Sequence, residues 1–153
     1  MSGPATYEHR QFAWAIVGAM IAALLVLAVT SVFAGSQRRD EIMLIALVLV
    51  VTGAVFSSMT VRVADGELRW WLGNVRAFGK RIRVGEITSA EPTKTNLFEG
   101  WGIHLTIWHG WVWNVSGFNA VEITLGSGAR YAIGTDEPQA LVAAIEQARR
   151  STA

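Results

Sequence analysis

The stretch Ala13–Phe33, AWAIVGAMIAALLVLAVTSVF, carries no charge in twenty-one positions. As a helix it would rise roughly 31 Å, about the hydrocarbon thickness of a bilayer. A second uncharged run, Ile42–Met59, IMLIALVLVVTGAVFSSM, has eighteen residues and would rise about 27 Å. Between them GSQRRDE makes a short polar turn with both signs of charge. Together the runs predict a helical hairpin that crosses a membrane twice. The chain then divides into an N-terminal tail (1–12), a transmembrane hairpin (13–59, with spans 13–33 and 42–59) and a folded domain (60–153).

A cleaved signal peptide is the rival for the first run, because Val32-Phe33-Ala34 before Gly35 has a small-residue pattern. The apolar stretch exceeds the ~7–15 residues of a signal core, and Arg10 alone charges its leader, so retention is favoured. The second run lacks the polar stripe of a core helix. Gly18 with Ala22, and Gly53 with Ser57, place small residues four apart, a spacing that lets helices approach closely. Arg10, Arg62, Arg69 and Arg76 outnumber Arg38 and Arg39 of the turn near the span ends. The bias predicts a multi-pass protein of the inner (cell) membrane with both termini cytoplasmic.

Mean hydropathy is +0.35, and the first sixty residues carry the excess. Net charge is +1, too small to imply a global field for polyanions, and no nucleic-acid partner is expected. The chain has no cysteine, which excludes disulfides and thiol catalysis. Eleven arginines against two lysines, with much Ala, Val and Gly, point to a GC-rich bacterial genome.

The remaining ninety-odd residues read as short strands and one helix. In TVRVADGELRWW, Thr60–Trp71, Asp65-Gly66 supplies a hairpin turn between alternating strands. Val75, Ile82, Val84 and Ile87 read as inward positions, and Pro92 as a strand edge. In WGIHLTIWHGWVWNVSG, Trp101–Gly117, Ile103, Leu105 and Ile107 share one face, and Trp111, Trp113 and Val115 another after the His109-Gly110 turn. A hairpin follows around Gly126-Ser127-Gly128. Asp136, Pro138 and Gln139 then open a helix, 137–150, with Leu141, Ala144, Ile145 and Ala148 as its apolar stripe. About seven strands and a closing helix predict a strongly bent sheet or partial barrel capped by that helix.

Two spans running into such a domain resemble bacterial two-span membrane proteins with a pleckstrin-homology-like domain. The residues that carry the resemblance are GWGIHL at 100–105, NVSGFNAVEITL at 114–125 and RYAIGTDEP at 130–138. It implies a mainly-β, PH-like domain over roughly residues 60–150 with lipid or protein binding as its role.

No constellation for catalysis emerges. His104 and His109 are five apart with no ligand spacing to a carboxylate such as Glu99, so neither a metal site nor a cofactor is expected. Ser116 lies in no nucleophile elbow, and Gly100-Trp101-Gly102 in no nucleotide loop. The basic stretch with Arg76, Lys80, Arg81 and Arg83 suits anionic lipid near a membrane surface. Trp108 and Trp111 are candidate apolar anchors. Trp70 and Trp71, being adjacent, must point to opposite faces. The expectation is a non-enzymatic integral membrane protein whose cytoplasmic domain binds a protein partner or an anionic membrane surface. The alternative is a structural or assembly subunit of a larger membrane complex that self-associates or docks, and a membrane-associated hydrolase comes last.

Overall fold

The Asp65-Gly66 turn forms as a two-residue hairpin loop, both residues at positive φ (55° and 71°), the conformation that matches strand twist. It joins β2 (Ser58–Ala64) to β3 (Glu67–Leu72). In this computed structural model, which describes residues 7–96 and 101–152, β4 (Gly79–Arg83) pairs antiparallel with β3. Residues 1–6 of the tail, together with Glu99 and Gly100, lie outside the described residues. Tyr7–Phe12, counted above with the tail, is a strand, β1, paired antiparallel with β2 along its whole length. Sheet A thus has the order β1-β2-β3-β4.

Between β1 and β2 the chain makes two helices, α1 (Trp14–Phe33) and α2 (Ser36–Phe56). They run side by side in opposite directions, tied at the base by the Ala13 N–H to Ser57 O bond (2.9 Å). Gly53 lets α2 approach Met20 of α1, whereas Gly18 faces open space. α1 has a mean hydropathy of 2.6 and none of it is buried.

The expected transmembrane hairpin of two spans is not what forms, because among the described residues only α1 is long and apolar enough to cross a membrane. The reason lies at both ends of α2. The charges Arg38 to Glu41, read as part of a turn, sit inside its first turns, and the helix stops at Phe56 where β2 takes over. Its uncharged part, Ile42 to Phe56, rises only about 22 Å, short of a ~30 Å hydrocarbon layer.

The single bent sheet or partial barrel expected for the domain is corrected too. A second sheet, B, is separate, with order β5-β8-β9-β7-β6. Its strands are β5 (Ile87–Lys94), β6 (Gly102–Thr106), β7 (Gly110–Asn114), β8 (Asn119–Leu125) and β9 (Arg130–Gly134). β7 and β9 pair in parallel, which a simple run of hairpins would not give. The two sheets and the closing helix α3 (Pro138–Thr152) share one core. Trp70 at its centre is fully buried, its ring edge-on to Trp113 (6.0 Å) and tilted against Tyr131 (5.8 Å), arrangements that aromatic pairs favour. α3 contributes Leu141, Ala144, Ile145 and Ala148, the stripe legible in the sequence. His9 of β1 fastens the start of α3, with Nε2 2.6 Å from Asp136 Oδ1 and Nδ1 3.4 Å from Glu137 Oε2.

Candidate functional site

Sheet A turns Val61, Val63, Leu68, Trp70 and Ile82 to the core. Strand alternation therefore sends Arg62, Arg69, Trp71 and Arg81 to the outer face. The register places Arg62 opposite Arg69, and Arg69 opposite Arg81, so three arginines line up across three strands. Like charges directly opposite one another are unfavourable. Two glutamates offset this in part. Glu67 takes the guanidinium of Arg69 (Nε to Oε2, 2.8 Å) and lies 3.7 Å from Arg81 Nε. Glu8 lies 3.6 Å from Arg62.

Next to this row is Trp71, paired with Thr60 on one side and Gly79 on the other. Gly79 has no room for a side chain: a Cβ would stand 2.4 Å from the Trp70 carbonyl oxygen and 2.7 Å from Trp71 Cβ. Arg76, from the β3–β4 loop, lays its guanidinium 5.5 Å above the Trp71 ring, a cation–π contact. A cavity of about 220 Å³ opens here, lined by Arg62, Arg69, Trp71, Arg76, Lys80 and Arg81 among others. It is a shallow, cation-rich depression with one aromatic wall. Among the described residues Arg76 and Lys80 have no carboxylate partner.

The structure therefore gathers Arg76, Lys80 and Arg81 of the basic stretch around one cavity and separates the rest. Lys80 follows Gly79 and precedes Arg81, so it points to the core side, and its Nζ rests 4.6 Å from the Tyr131 ring centroid at the sheet edge. Arg83 leaves the cluster and pairs with Glu86 at 2.9 Å. Trp108 (64% exposed) sits in the β6–β7 turn, and Trp111 (45% exposed) on β7 beside Leu105. Neither lines the basic cavity. Ile103, Leu105 and Ile107 are exposed as well, because β6 is the outermost strand of sheet B.

Arg62 and Arg69 were missed as site residues, though a signal existed. A two-residue turn at Asp65-Gly66 fixes Ala64 opposite Glu67, and therefore Arg62 opposite Arg69. Arg81 was already a candidate contact, but nothing comparable announced its place opposite Arg69, which depends on the path of the β3–β4 loop.

The histidines take other roles. His109 Nδ1 is 2.5 Å from Glu122 Oε2, and His104 Nε2 is buried without a hydrogen-bond partner among the described residues. Among the described residues no three His, Asp or Glu side chains converge as metal ligands. Among the described residues Tyr7, on β1 next to Thr135, is the group pushed far from its ordinary range. Burial raises its hydroxyl to about 12; the nearby Thr135 works against this, and the charges of Glu137 and Asp136 add to it.

No protein family, curated protein or solved structure matches the chain. The resemblance to two-span bacterial proteins with a pleckstrin-homology-like domain is thus corrected on two counts: a single helix of spanning character among the described residues, and no family match.

Proposed function

We propose that the protein is a non-enzymatic, membrane-associated binding protein. α1 enters the lipid, and the outer face of sheet A binds anionic groups at the membrane surface. The observation that carries this reading is the row Arg62–Arg69–Arg81 with Arg76 over Trp71. Four arginines line one cavity with Lys80 at its edge, and Glu67 and Glu8 offset them in part. An anion lodged there relieves the mutual repulsion, and guanidinium forks match phosphate oxygens two at a time. Phospholipid headgroups are the anions that an apolar arm brings near. The arginines near the helix base favour the cytoplasmic side of the inner membrane for the β domain.

Native mass spectrometry of the detergent-solubilised full chain, with equal phosphatidylglycerol and phosphatidylcholine, tests this. Retention of phosphatidylglycerol in preference is expected, together with loss of that preference in the Arg69→Gln/Arg81→Gln variant. Equal retention of both lipids, or a variant that still discriminates, rejects the reading.

A second reading rests on the exposed β6–β7 hairpin, where Leu105, Ile107, Trp108 and Trp111 face solvent. Apolar exposure concentrated on an edge strand suits a protein partner or self-association, as in an assembly subunit. Crosslinking from native membranes, with benzoylphenylalanine at position 107, would capture that partner; adducts with lipid alone count against it.

A further inference from the structure

The end of sheet A that meets the helices is ringed by exposed apolar side chains. Phe12 closes β1 and Trp14 opens α1, and their rings stack at 5.6 Å. The Arg10 guanidinium lies 4.9 Å over Phe12. Across the sheet, the β3–β4 loop is pinned against the end of α2. The Gly73 N–H donates to Ser58 O at 2.7 Å, and a Cβ on Gly73 would stand 2.4 Å from the Ala54 carbonyl oxygen. From this anchorage the loop exposes Val75 and Phe78, with Arg76 between them. On the β1 side, the Gln11 amide donates to Ser116 O (3.1 Å), and the Trp101 indole N–H donates to Gly117 O (3.2 Å). Those bonds bring Trp101 and Phe118, both nearly half exposed, to the same end.

Six apolar side chains from separate parts of the chain therefore form a collar around the base of the helices, with Arg10 and Arg76 at the same level. Of the turns at the far end, Asp65-Gly66 and Gly126-Ser127-Gly128 show no exposed large apolar side chain, whereas the β6–β7 turn exposes Ile107 and Trp108.

We propose that this collar seats the β domain in the interfacial layer of the bilayer. The occupant is the lipid interface: the aromatic rings and Val75 lie among headgroups and upper acyl chains, and Arg10 and Arg76 reach toward phosphates. Indole and phenyl rings are favoured at that depth, and arginine extends from apolar surroundings to the charged layer. Continuity decides for lipid over another protein, since Trp14 is the first residue of the helix that, alone among the described residues, is apolar enough to cross a membrane. The inference rests on α1 being embedded in lipid. Its consequence is geometric. A domain seated by a collar cannot swing freely, so Arg62, four residues beyond Ser58 and about 13 Å from the strand start, stays within reach of the membrane surface.

The chain has no cysteine, so single spin labels are clean probes. Labels would be placed at Leu25→Cys, Val75→Cys, Phe118→Cys and Ser127→Cys in the full chain reconstituted into phosphatidylglycerol–phosphatidylcholine vesicles. Collision with oxygen and with a water-soluble nickel chelate reads depth. The expected order is position 25 deep in the acyl chains, positions 75 and 118 at headgroup depth, and position 127 in water. Positions 75 and 118 as aqueous as 127, with 25 deep, would overturn the collar and leave the anchor standing. Shielding of 75 and 118 from both reagents overturns it in favour of a protein occupant. An aqueous position 25 removes the membrane reading and the collar together. The probed side chains are exposed, and the two collar labels sit on opposite sides of the helices, so either one suffices should the other disturb folding.

Discussion

Gly73 shows how a single residue couples the two halves of the molecule. Its φ of 56° lies in the left-handed region, and the Ala54 carbonyl fills the space a Cβ would need. Gly73→Ala is expected to cost about 2–3 kcal/mol, combining left-handed strain with a backbone clash. The thermal midpoint would fall by roughly 5–10 °C, whereas Gly85→Ala, which meets nothing within 4 Å, would shift it little. Tyr7 offers a titration at the same scale. Burial pushes its hydroxyl from the usual 10 up to about 12, so the folded state holds the proton more tightly than the unfolded chain does. The stability it contributes is whole below pH 10 and is lost as pH rises toward 12. Denaturant titrations from pH 9 to 12 should show a falling midpoint that flattens in Tyr7→Phe. These residues differ in legibility. Trp70 and Trp71 had to diverge because neighbours on a strand point apart, and they do: Trp70 is in the core and Trp71 under Arg76. Nothing in the residues around Gly73 announced that α2 would lie against it.

At the scale of elements, the β2–β3 hairpin was readable down to its register, because a two-residue turn leaves no slack. The third rung, Arg81, was not, since the β3–β4 loop takes its path from contact with α2. Glu67 serves two rungs at once. Glu67→Gln should lower stability modestly at low ionic strength, by about 0.5–1 kcal/mol, yet tighten binding to anionic vesicles several-fold. Both effects should shrink in high salt. Melting curves and vesicle titrations at two salt concentrations check the pair of signs; weaker vesicle binding would speak against an anion site. α2 marks the opposite limit of legibility. Counting apolar letters from Ile42 to Met59 crossed an element boundary, since Ser58 and Met59 begin β2. Composition alone does not show where a helix stops and a strand starts when both are apolar.

For the whole molecule, the decisive contact is the most distant in sequence. β1 pairs with β2 after an excursion of two helices, so sheet A draws on residues before the helices as well as after them. A chain beginning at residue 60 would lack β1, Ser58 and Met59. It should show no cooperative thermal transition by circular dichroism, whereas the intact chain should. The hydrogen-bonded link from His9 to Asp136 adds to that dependence on the N-terminus.

The sequence by itself determined what neighbours decide: an uncharged first helix, the Asp65-Gly66 hairpin, the alternating faces of the strands and the apolar stripe of α3. Such features follow from residue spacing and local backbone preference, which need no distant partner. Only the tertiary structure decided the end of α2, the recruitment of Tyr7–Phe12, the split into two sheets with a parallel β7–β9 pair, and the arginine row. Each of these depends on which strand finds which, and that choice is made by burial of a shared core between segments far apart along the chain.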